Sequence, residues 1–277
     1  MINSFLTISD DLNLHYQLTG VGPVTIVFIP GWTMSTEVFE RQMRYFEGSQ
    51  EFRAITYDPR SHGLSSKTCG GHFYEQHAKD LKALLTELKT ERFVLVAWSA
   101  GGGTALEYVR LYGAENLDGL VLVDTAPRSR VVDKTIEWGW FGTSGNGDQD
   151  SSMRLFSYET LVNRDAVNRE FAIWMLEHPS EQNIDFVGHL SSRTPSTVAA
   201  LLNLSYWFLD NTAQVKSLDG QVPLLYVVRE EWQQVAAAWA RDNTPTANVV
   251  AFGKHMMFWE RAGQFNAVLR EFLDSAG

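Results

Sequence analysis

The chain has 277 residues, of which 44% are hydrophobic, and it carries a formal net charge of −10 at pH 7. This length and composition predict a globular protein with one large domain or two small ones. The negative charge argues against nucleic acid and anionic membrane surfaces as partners, because both would repel it.

Strand and helix patterns alternate over the first half of the chain. Two short alternating segments, Phe5 to Ile8 and Leu12 to Leu18, predict edge strands joined in a hairpin. β-Branched and aliphatic runs predict buried strands at Val24 to Ile29, Phe52 to Tyr57, Phe93 to Trp98 and Leu120 to Val123. Helical periodicity is present at Val38 to Phe46, at Phe73 to Leu88 and directly after Ser99. This alternation predicts an α/β fold with a parallel sheet and helices on both faces.

The pattern changes near Arg128. Up to about Asp219 the sequence predicts helices without strands, at Val131 to Trp138, Ser152 to Val162, Ala166 to Glu177 and Thr197 to Phe208, with a polar loop at Gly142 to Gly147. Strands resume at Val222 to Val228 and Ala247 to Phe252, and a last helix covers Glu260 to Leu273. We therefore predict a core formed by residues 1–127 and 216–277, with a helical cap (residues 128–215) inserted after the sixth strand.

The most informative segment surrounds Ser99. A buried strand ends in Ala97-Trp98-Ser99-Ala100-Gly101, and a helical pattern follows at once. This strand–turn–helix context is typical of a nucleophile elbow, which exposes a serine hydroxyl at the carboxyl edge of a parallel sheet. The N-terminus of the following helix offers backbone N–H groups to a developing oxyanion. No Walker lysine and no GxGxxG order accompany the turn, which argues against a phosphate-binding loop.

Three further segments accompany the turn at Ser99. They are Ile29-Pro30-Gly31-Trp32, Tyr57-Asp58-Pro59-Arg60-Ser61-His62-Gly63 and His255-Met256-Met257-Phe258. In this order and spacing, the four segments resemble those of the α/β-hydrolase superfamily, and within it the esterase and cofactor-free haloperoxidase (perhydrolase) branch. Pro30 stands where a histidine is usual in the family. The resemblance covers nearly the whole chain and implies the α/β-hydrolase fold, with a mostly parallel central sheet.

The resemblance also implies the roles of individual residues. Ser99 is the expected nucleophile, and His255 is the expected base that removes its proton. Backbone N–H groups of Trp32 and Ala100 are expected to form an oxyanion hole. The expected pocket residues are Trp32, Met34, Trp98 and Met256, with Trp138, Trp140, Phe141, Trp174 and Trp207 of the cap as further aromatic candidates.

The sequence does not decide which carboxylate completes the catalytic triad with Ser99 and His255. The family most often places an aspartate after the seventh strand, but here that strand continues into Arg229-Glu230-Glu231. Asp124 ends the sixth strand, where some relatives carry their acid. Both positions lie between Ser99 and His255, so chain order does not decide between them. Asp124 is the first candidate, Glu230 or Glu231 is the alternative, and a site without an acid is the third.

The expected function is that of a cofactor-independent serine hydrolase, which cleaves a small or medium hydrophobic carboxylic ester or lactone through an acyl-enzyme. Perhydrolysis, amide hydrolysis and C–C hydrolysis are alternatives on the same frame, as is a catalytically weak ligand-binding homologue. Neither a metal-ligand spacing nor a dinucleotide fingerprint occurs in the sequence, so we expect no metal and no cofactor. The expected partner is a small hydrophobic substrate.

The sequence also bears on location. The N-terminus lacks the basic and apolar regions of a signal peptide, and no apolar run of about 18 residues occurs. We therefore expect a cytoplasmic protein that makes no membrane contact. No feature of the sequence indicates an oligomeric state.

Overall fold

A computed structural model of the chain describes residues 1–142 and 148–276. The strands are, in chain order, β1 (Ile2–Ser9), β2 (Leu12–Gly20), β3 (Val24–Ile29), β4 (Phe52–Tyr57), β5 (Phe93–Trp98), β6 (Leu117–Val123), β7 (Arg130–Val131), β8 (Phe141–Gly142), β9 (Leu224–Val228) and β10 (Asn248–Ala251). Eight of them form one sheet in the order β1-β2-β4-β3-β5-β6-β9-β10, and β7 pairs with β8 separately. β2 pairs antiparallel with β1 and β4, and every other strand pair in the large sheet is parallel, which confirms the predicted fold class.

Twelve helices are assigned within the described residues. They are α1 (Glu40–Tyr45), α2 (Tyr74–Glu87), α3 (Gly101–Tyr112), α4 (Asp148–Arg154), α5 (Thr160–Val162), α6 (Arg164–Met175), α7 (Glu181–Ser192), α8 (Ser196–Trp207), α9 (Thr212–Leu218), α10 (Gln233–Asn243), α11 (Met257–Glu260) and α12 (Ala262–Ala276). Short 3₁₀ turns cover Thr36–Phe39 and Glu230–Trp232, and a π-helical segment covers Leu155–Glu159. No described helix is long and apolar enough to cross a membrane.

Successive strand residues alternate between two hydrophobic cores, one on each face of the sheet. In β5, Val96 lies in the core that includes residues of α1 and α12, and Ala97 lies in the core with residues of α2, α3 and α10. β5 is buried along its whole length because helices cover both faces, and this explains its unbroken apolar run. Between β3 and β6, the strand that leads to Ser99 is thus held on every side.

Helices α4 to α9 lie in the connection between β6 and β9, which are parallel neighbours in the sheet. A third hydrophobic cluster joins this helical block to the core, since Val167 and Ala199 of the block pack with Trp32 and Ala100. The block therefore covers the carboxyl edge of the sheet next to Ser99. The domain boundaries at 127/128 and 215/216 stay predictions.

Some predicted elements differ in the structure. The predicted helix over Val131 to Trp138 is wrong, because Asp133 and Glu137 fold this segment into turns. Asp133 Oδ1 accepts a 2.9 Å hydrogen bond from Thr135 N, and Glu137 Oε2 accepts from two backbone N–H groups at the end of β7. Helices α7 and α9 were not predicted, and the short strands β7 and β8 lie in the region that was predicted to hold no strands. β2 is an internal strand rather than an edge. Residues 143–147 of the predicted Gly142 to Gly147 loop lie outside the described part of the chain.

Candidate active site

Ser99 occupies a sharp turn between β5 and α3. Its backbone has a φ of 54°, in the left-handed region that non-glycine residues adopt rarely. The turn also requires a residue without a side chain two positions later, since a Cβ at Gly101 would lie 2.6 Å from the carbonyl oxygen of Ile29. Ser99 N donates to Val123 O at 2.9 Å, which ties the turn to the end of β6. The strained turn directs the serine side chain into a cavity at the sheet edge.

His255 follows β10 and reaches back to the serine. Its Nε2 lies 3.0 Å from Ser99 Oγ, and its Nδ1 lies 2.5 Å from Asp124 Oδ2. Because the carboxylate accepts a hydrogen bond from Nδ1–H, Nε2 is left as the acceptor for the serine hydroxyl. Trp98, Trp140 and Trp174 surround the imidazole with ring centroids 5.1, 5.5 and 4.8 Å away.

Asp124 is the carboxylate that the structure brings to His255. It ends β6 with a φ of 43°, so its backbone also takes the left-handed conformation. The alternative candidates lie elsewhere. Glu230 accepts a hydrogen bond from Gly253 N at 3.2 Å and faces Arg261 at 3.8 Å, and the Glu231 side chain is 71% exposed.

Asp124 has a second partner, Arg229, which follows β9. Arg229 donates from its backbone N to Oδ1 at 2.9 Å and from Nη1 to Oδ2 at 2.7 Å. Burial raises the pKa of Asp124, but the charge of Arg229 and the hydrogen bond from His255 outweigh burial, so this pKa lies below its ordinary value. Burial lowers the pKa of His255, and the positive charge of Arg229 lowers it further. The hydrogen bond and negative charge of Asp124 raise this pKa by less, so it lies below its ordinary value. At neutral pH the site therefore holds a charged Asp124 and an uncharged His255.

Trp32 and Ala100 line the cavity together with Ser99, and Ala100 directly follows the serine in the chain. Within the described residues, the backbone N–H group of neither residue donates a hydrogen bond to the protein. The Trp32 side chain is held by the helical block, since its Nε1 donates to Ala199 O at 2.8 Å. Backbone N–H groups without an acceptor are the kind of donor that stabilises an oxyanion in acyl transfer, so Trp32 and Ala100 stay the candidates for this role.

The cavity has a volume of about 540 Å³, and half of its lining residues are aromatic. Its lining includes Trp32, Tyr74, Trp140, Phe141, Phe156, Phe171, Trp174, Tyr206, Arg229 and Trp232. Polar and charged side chains, Lys134, Ser152, Glu170, Asn203 and Glu231, complete it together with Leu155. The aromatic residues Tyr74, Phe156, Phe171, Tyr206 and Trp232 were not predicted, because no local sequence signal distinguishes a pocket aromatic from a packing one. Arg229 was not predicted either, because its place in the lining depends on contacts with distant parts of the chain.

Several predicted pocket residues do not line the cavity. Met34, Trp98 and Met256 are at most 1% exposed and lie in the core beneath the site, so their assignment to the pocket is corrected. The cap candidates Trp138 and Trp207 are also outside the lining. Trp138 packs against Tyr226 of the sheet, and Trp207 stacks on Phe141 from behind. All five contribute apolar packing instead.

Among residues 1–142 and 148–276, no group of three or more His, Cys, Asp or Glu side chains is arranged to hold a metal ion.

Known proteins share this sequence pattern and fold. A family model described as the alpha/beta hydrolase fold matches residues 24–270. The chain is 33% identical over 121 residues to a non-heme chloroperoxidase of Kitasatospora aureofaciens, a match that covers 44% of this chain and 43% of that protein. It is 29% identical over 124 residues to a bifunctional esterase/perhydrolase of Acinetobacter calcoaceticus, which covers 44% and 45%. These matches span less than half of the curated relatives.

Solved structures resemble the whole chain. A bromoperoxidase from Bacillus anthracis superposes with a TM-score of 0.84 at 20% identity, covering 99% of this chain and 100% of that one. An esterase from Exiguobacterium antarcticum superposes with a TM-score of 0.83 at 22% identity and the same coverage. At these identities the likeness shows the fold alone.

Proposed function

The chain belongs to the α/β-hydrolase family, in the branch of esterases and haloperoxidases, and we propose that it is a serine hydrolase of small or medium hydrophobic carboxylic esters or lactones. The observation that carries this proposal is the connected series Ser99 Oγ–His255–Asp124, with distances of 3.0 and 2.5 Å, at the wall of an aromatic cavity. A serine is a weak nucleophile until a base takes its proton, and this geometry supplies the base.

In the acylation step, Ser99 Oγ attacks the carbonyl carbon of the ester while His255 Nε2 takes the hydroxyl proton. The oxygen of the tetrahedral intermediate accepts hydrogen bonds from the N–H groups of Trp32 and Ala100. His255 then returns the proton to the leaving oxygen, the C–O bond breaks and the alcohol departs. With a lactone the new hydroxyl stays attached to the acyl group.

In the deacylation step, His255 removes a proton from water and the resulting hydroxide attacks the acyl carbon. The bond to Ser99 Oγ breaks, the serine regains a proton from His255 and the acid leaves. Asp124 holds the imidazole in the required tautomer and stabilises its charged form in both steps.

The cavity supports the proposed substrate class. Its volume of about 540 Å³ is within the range of small-molecule sites, roughly 300–1,000 Å³. Half of its lining residues are aromatic, and their rings favour an apolar acyl or aryl group over a strongly hydrated one. We propose that the ligand is a small hydrophobic molecule.

A covalent serine probe tests the proposal directly. Intact mass is measured after incubation with a fluorophosphonate, for wild type and Ser99→Ala, together with hydrolysis of p-nitrophenyl esters from acetate to octanoate. We expect one adduct on wild type and none on Ser99→Ala, with less than about one per cent of the esterase activity left in the variant. Folded wild type that gains no adduct and cleaves no ester would favour a ligand-binding homologue, and a ligand would then raise its melting temperature without turnover.

Perhydrolysis is a second candidate because two of the relatives are named as a chloroperoxidase and an esterase/perhydrolase. Hydrogen peroxide would replace water in deacylation, attack the acyl carbon and leave as a peroxyacid, which oxidises halide in solution. Peroxide-dependent bromination of a dimedone reporter in acetate buffer measures this activity. It must disappear in Ser99→Ala, and a rate that survives in this variant would rule out the shared acyl-enzyme.

A further inference from the structure

Arg229 holds both oxygens of the Asp124 carboxylate. The backbone N–H of Arg229 donates to Oδ1 at 2.9 Å, and Nη1 donates to Oδ2 at 2.7 Å. This placement follows from the sheet, because β6 and β9 are parallel neighbours with Val123 paired to Val227. Asp124 N also donates to Val227 O at 2.7 Å. The ends of two adjacent strands thus fix the acid from three directions.

The guanidinium of Arg229 lies in a box of three indole rings. Its Cζ is 3.6 Å from the ring centroid of Trp232, 5.3 Å from that of Trp174 and 5.4 Å from that of Trp140. The Arg229 side chain is only 10% exposed. Aromatic faces stabilise a desolvated cation, and the exclusion of water strengthens its attraction to Asp124. The charge is therefore held permanently beside the triad.

When His255 is protonated, one oxygen of the Asp124 carboxylate accepts hydrogen bonds from two cations. Oδ2 of Asp124 accepts from Arg229 Nη1 and from His255 Nδ1. Since the guanidinium already offsets the charge of Asp124, an imidazolium at His255 gains less from that carboxylate than it would from an unpaired one. The pair formed by His255 and Asp124 should consequently bind its proton at lower pH than it would without Arg229.

The other charged groups near His255 are more distant from its ring nitrogens or more exposed. Glu231 approaches Arg229 Nε at 3.5 Å with a 71% exposed side chain. Lys134 and Glu170 line the same cavity, and the exposed Lys254 precedes His255 in the chain. Solvent screens such charges, whereas Arg229 is buried and in direct contact with Asp124.

We propose that Arg229 is a positioning residue of this site, which fixes Asp124 and keeps His255 an uncharged base at mildly acidic pH. The lowered pKa of His255 is consistent with this role. The kinetic readout of the role rests on the proposed function, but the titration of His255 does not.

Three variants separate the charge of Arg229 from its bulk. Arg229→Met keeps an apolar side chain inside the indole box and removes the charge, and Arg229→Lys keeps the charge. Arg241→Met removes an arginine that is 73% exposed on α10 and serves as the matched control. For each, kcat/KM is measured against pH on a p-nitrophenyl ester, and the His255 imidazole is titrated by NMR in protein with isotope-labelled histidine.

In Arg229→Met we expect the acid limb of kcat/KM and the His255 titration to move up by about one pH unit, with the plateau of kcat about tenfold lower. Because Arg229→Lys keeps the charge, its two midpoints should lie close to those of wild type. Arg241→Met should leave both midpoints unchanged. Equal NMR midpoints in wild type and Arg229→Met would overturn the proposal, since a purely structural role lowers activity at every pH without moving the titration.

Folding and the proposed function are checked separately. Circular dichroism verifies each variant, and if Arg229→Met does not fold, Arg229→Gln tests the same loss of charge with a polar side chain. A wild type that resists fluorophosphonate would contradict the serine hydrolase. The NMR midpoints would still decide the role of Arg229.

Discussion

Trp98 Nε1 donates a 2.9 Å hydrogen bond to the backbone carbonyl oxygen of His255. The residue directly before the nucleophile thus anchors the loop that carries the base, and its ring lies 5.1 Å from the imidazole. This contact explains why Trp98 is buried beneath the site rather than in the cavity. It also couples the turn at the end of β5 to the loop after β10.

Trp98→Phe tests this anchor. Phenylalanine keeps an aromatic ring but leaves the buried carbonyl of His255 without its donor, which costs about 1–3 kcal/mol of the free energy of unfolding. We expect a fall in kcat of about three- to tenfold, because the imidazole is held less precisely against Ser99. Urea denaturation and steady-state kinetics measure the two effects.

Trp138→Phe is the matched control, since Trp138 is equally buried but its Nε1 has no hydrogen-bond partner in the described structure. We expect a smaller loss of stability and unchanged kcat. Equal effects of the two substitutions on kcat would mean that ring volume, rather than the hydrogen bond to His255, is what matters at Trp98.

If Asp124 is the acid of the triad, replacing Asp124 should lower the activity far more than replacing Glu230. In Asp124→Asn a neutral amide replaces the carboxylate that accepts the hydrogen bond from Nδ1–H, so the wrong imidazole tautomer is favoured and kcat should fall by about 10⁴-fold. Glu230→Gln removes only the negative charge of a side chain that is 64% exposed and contacts Gly253 and Arg261, and we expect activity within about twofold of wild type. Activity lost in Glu230→Gln and kept in Asp124→Asn would reverse the assignment.

Gly101 and Gly188 should respond oppositely to alanine. At Gly101 a Cβ would lie 2.6 Å from Ile29 O and 2.8 Å from Pro30 O, both backbone atoms that cannot move aside. We expect Gly101→Ala to lower stability by about 3 kcal/mol or more. At Gly188, within α7, a Cβ meets nothing within 4 Å, so Gly188→Ala should raise stability by about 0.5–1 kcal/mol through helix propensity. Thermal melts compare the two, and a neutral Gly101→Ala would contradict the tight elbow.

The buried His62 should make the stability of the fold sensitive to acid. Burial lowers its pKa from 6.5 to about 4, and its Nδ1 donates to Arg60 O at 2.9 Å. Between these two pH values the unfolded chain binds the proton and the folded chain does not. The free energy of unfolding therefore decreases as pH falls, by on the order of 3 kcal/mol between pH 7 and pH 4.

His62→Asn should flatten this dependence, because its amide donates to the same carbonyl and does not titrate. Urea unfolding from pH 7 to pH 4 gives the slopes, with the exposed His178→Asn as the control. If wild type and His62→Asn lose the same stability over this range, other groups cause the acid sensitivity.

Local patterns in the sequence determined the strands of the sheet, the elbow at Ser99 and the position of His255 after the last strand. These features could be predicted because each depends on a short run of residues. An unbroken apolar run reports a buried strand, and small residues around a serine report a tight turn. The segment from Val131 to Trp138 shows the limit, since hydrogen bonds accepted by the Asp133 and Glu137 side chains overrode its apparent helical pattern.

The tertiary structure alone decided which carboxylate meets His255, which aromatic residues face the cavity and that Arg229 supports the acid. Asp124 and Glu230 both follow buried strands, and only the register of β6 against β9 and the turn after β6 place one of them at Nδ1. The pocket likewise depends on how helices from distant parts of the chain pack over the sheet edge. Such contacts join residues more than 100 positions apart, as between Asp124 and Arg229, and no local pattern records them.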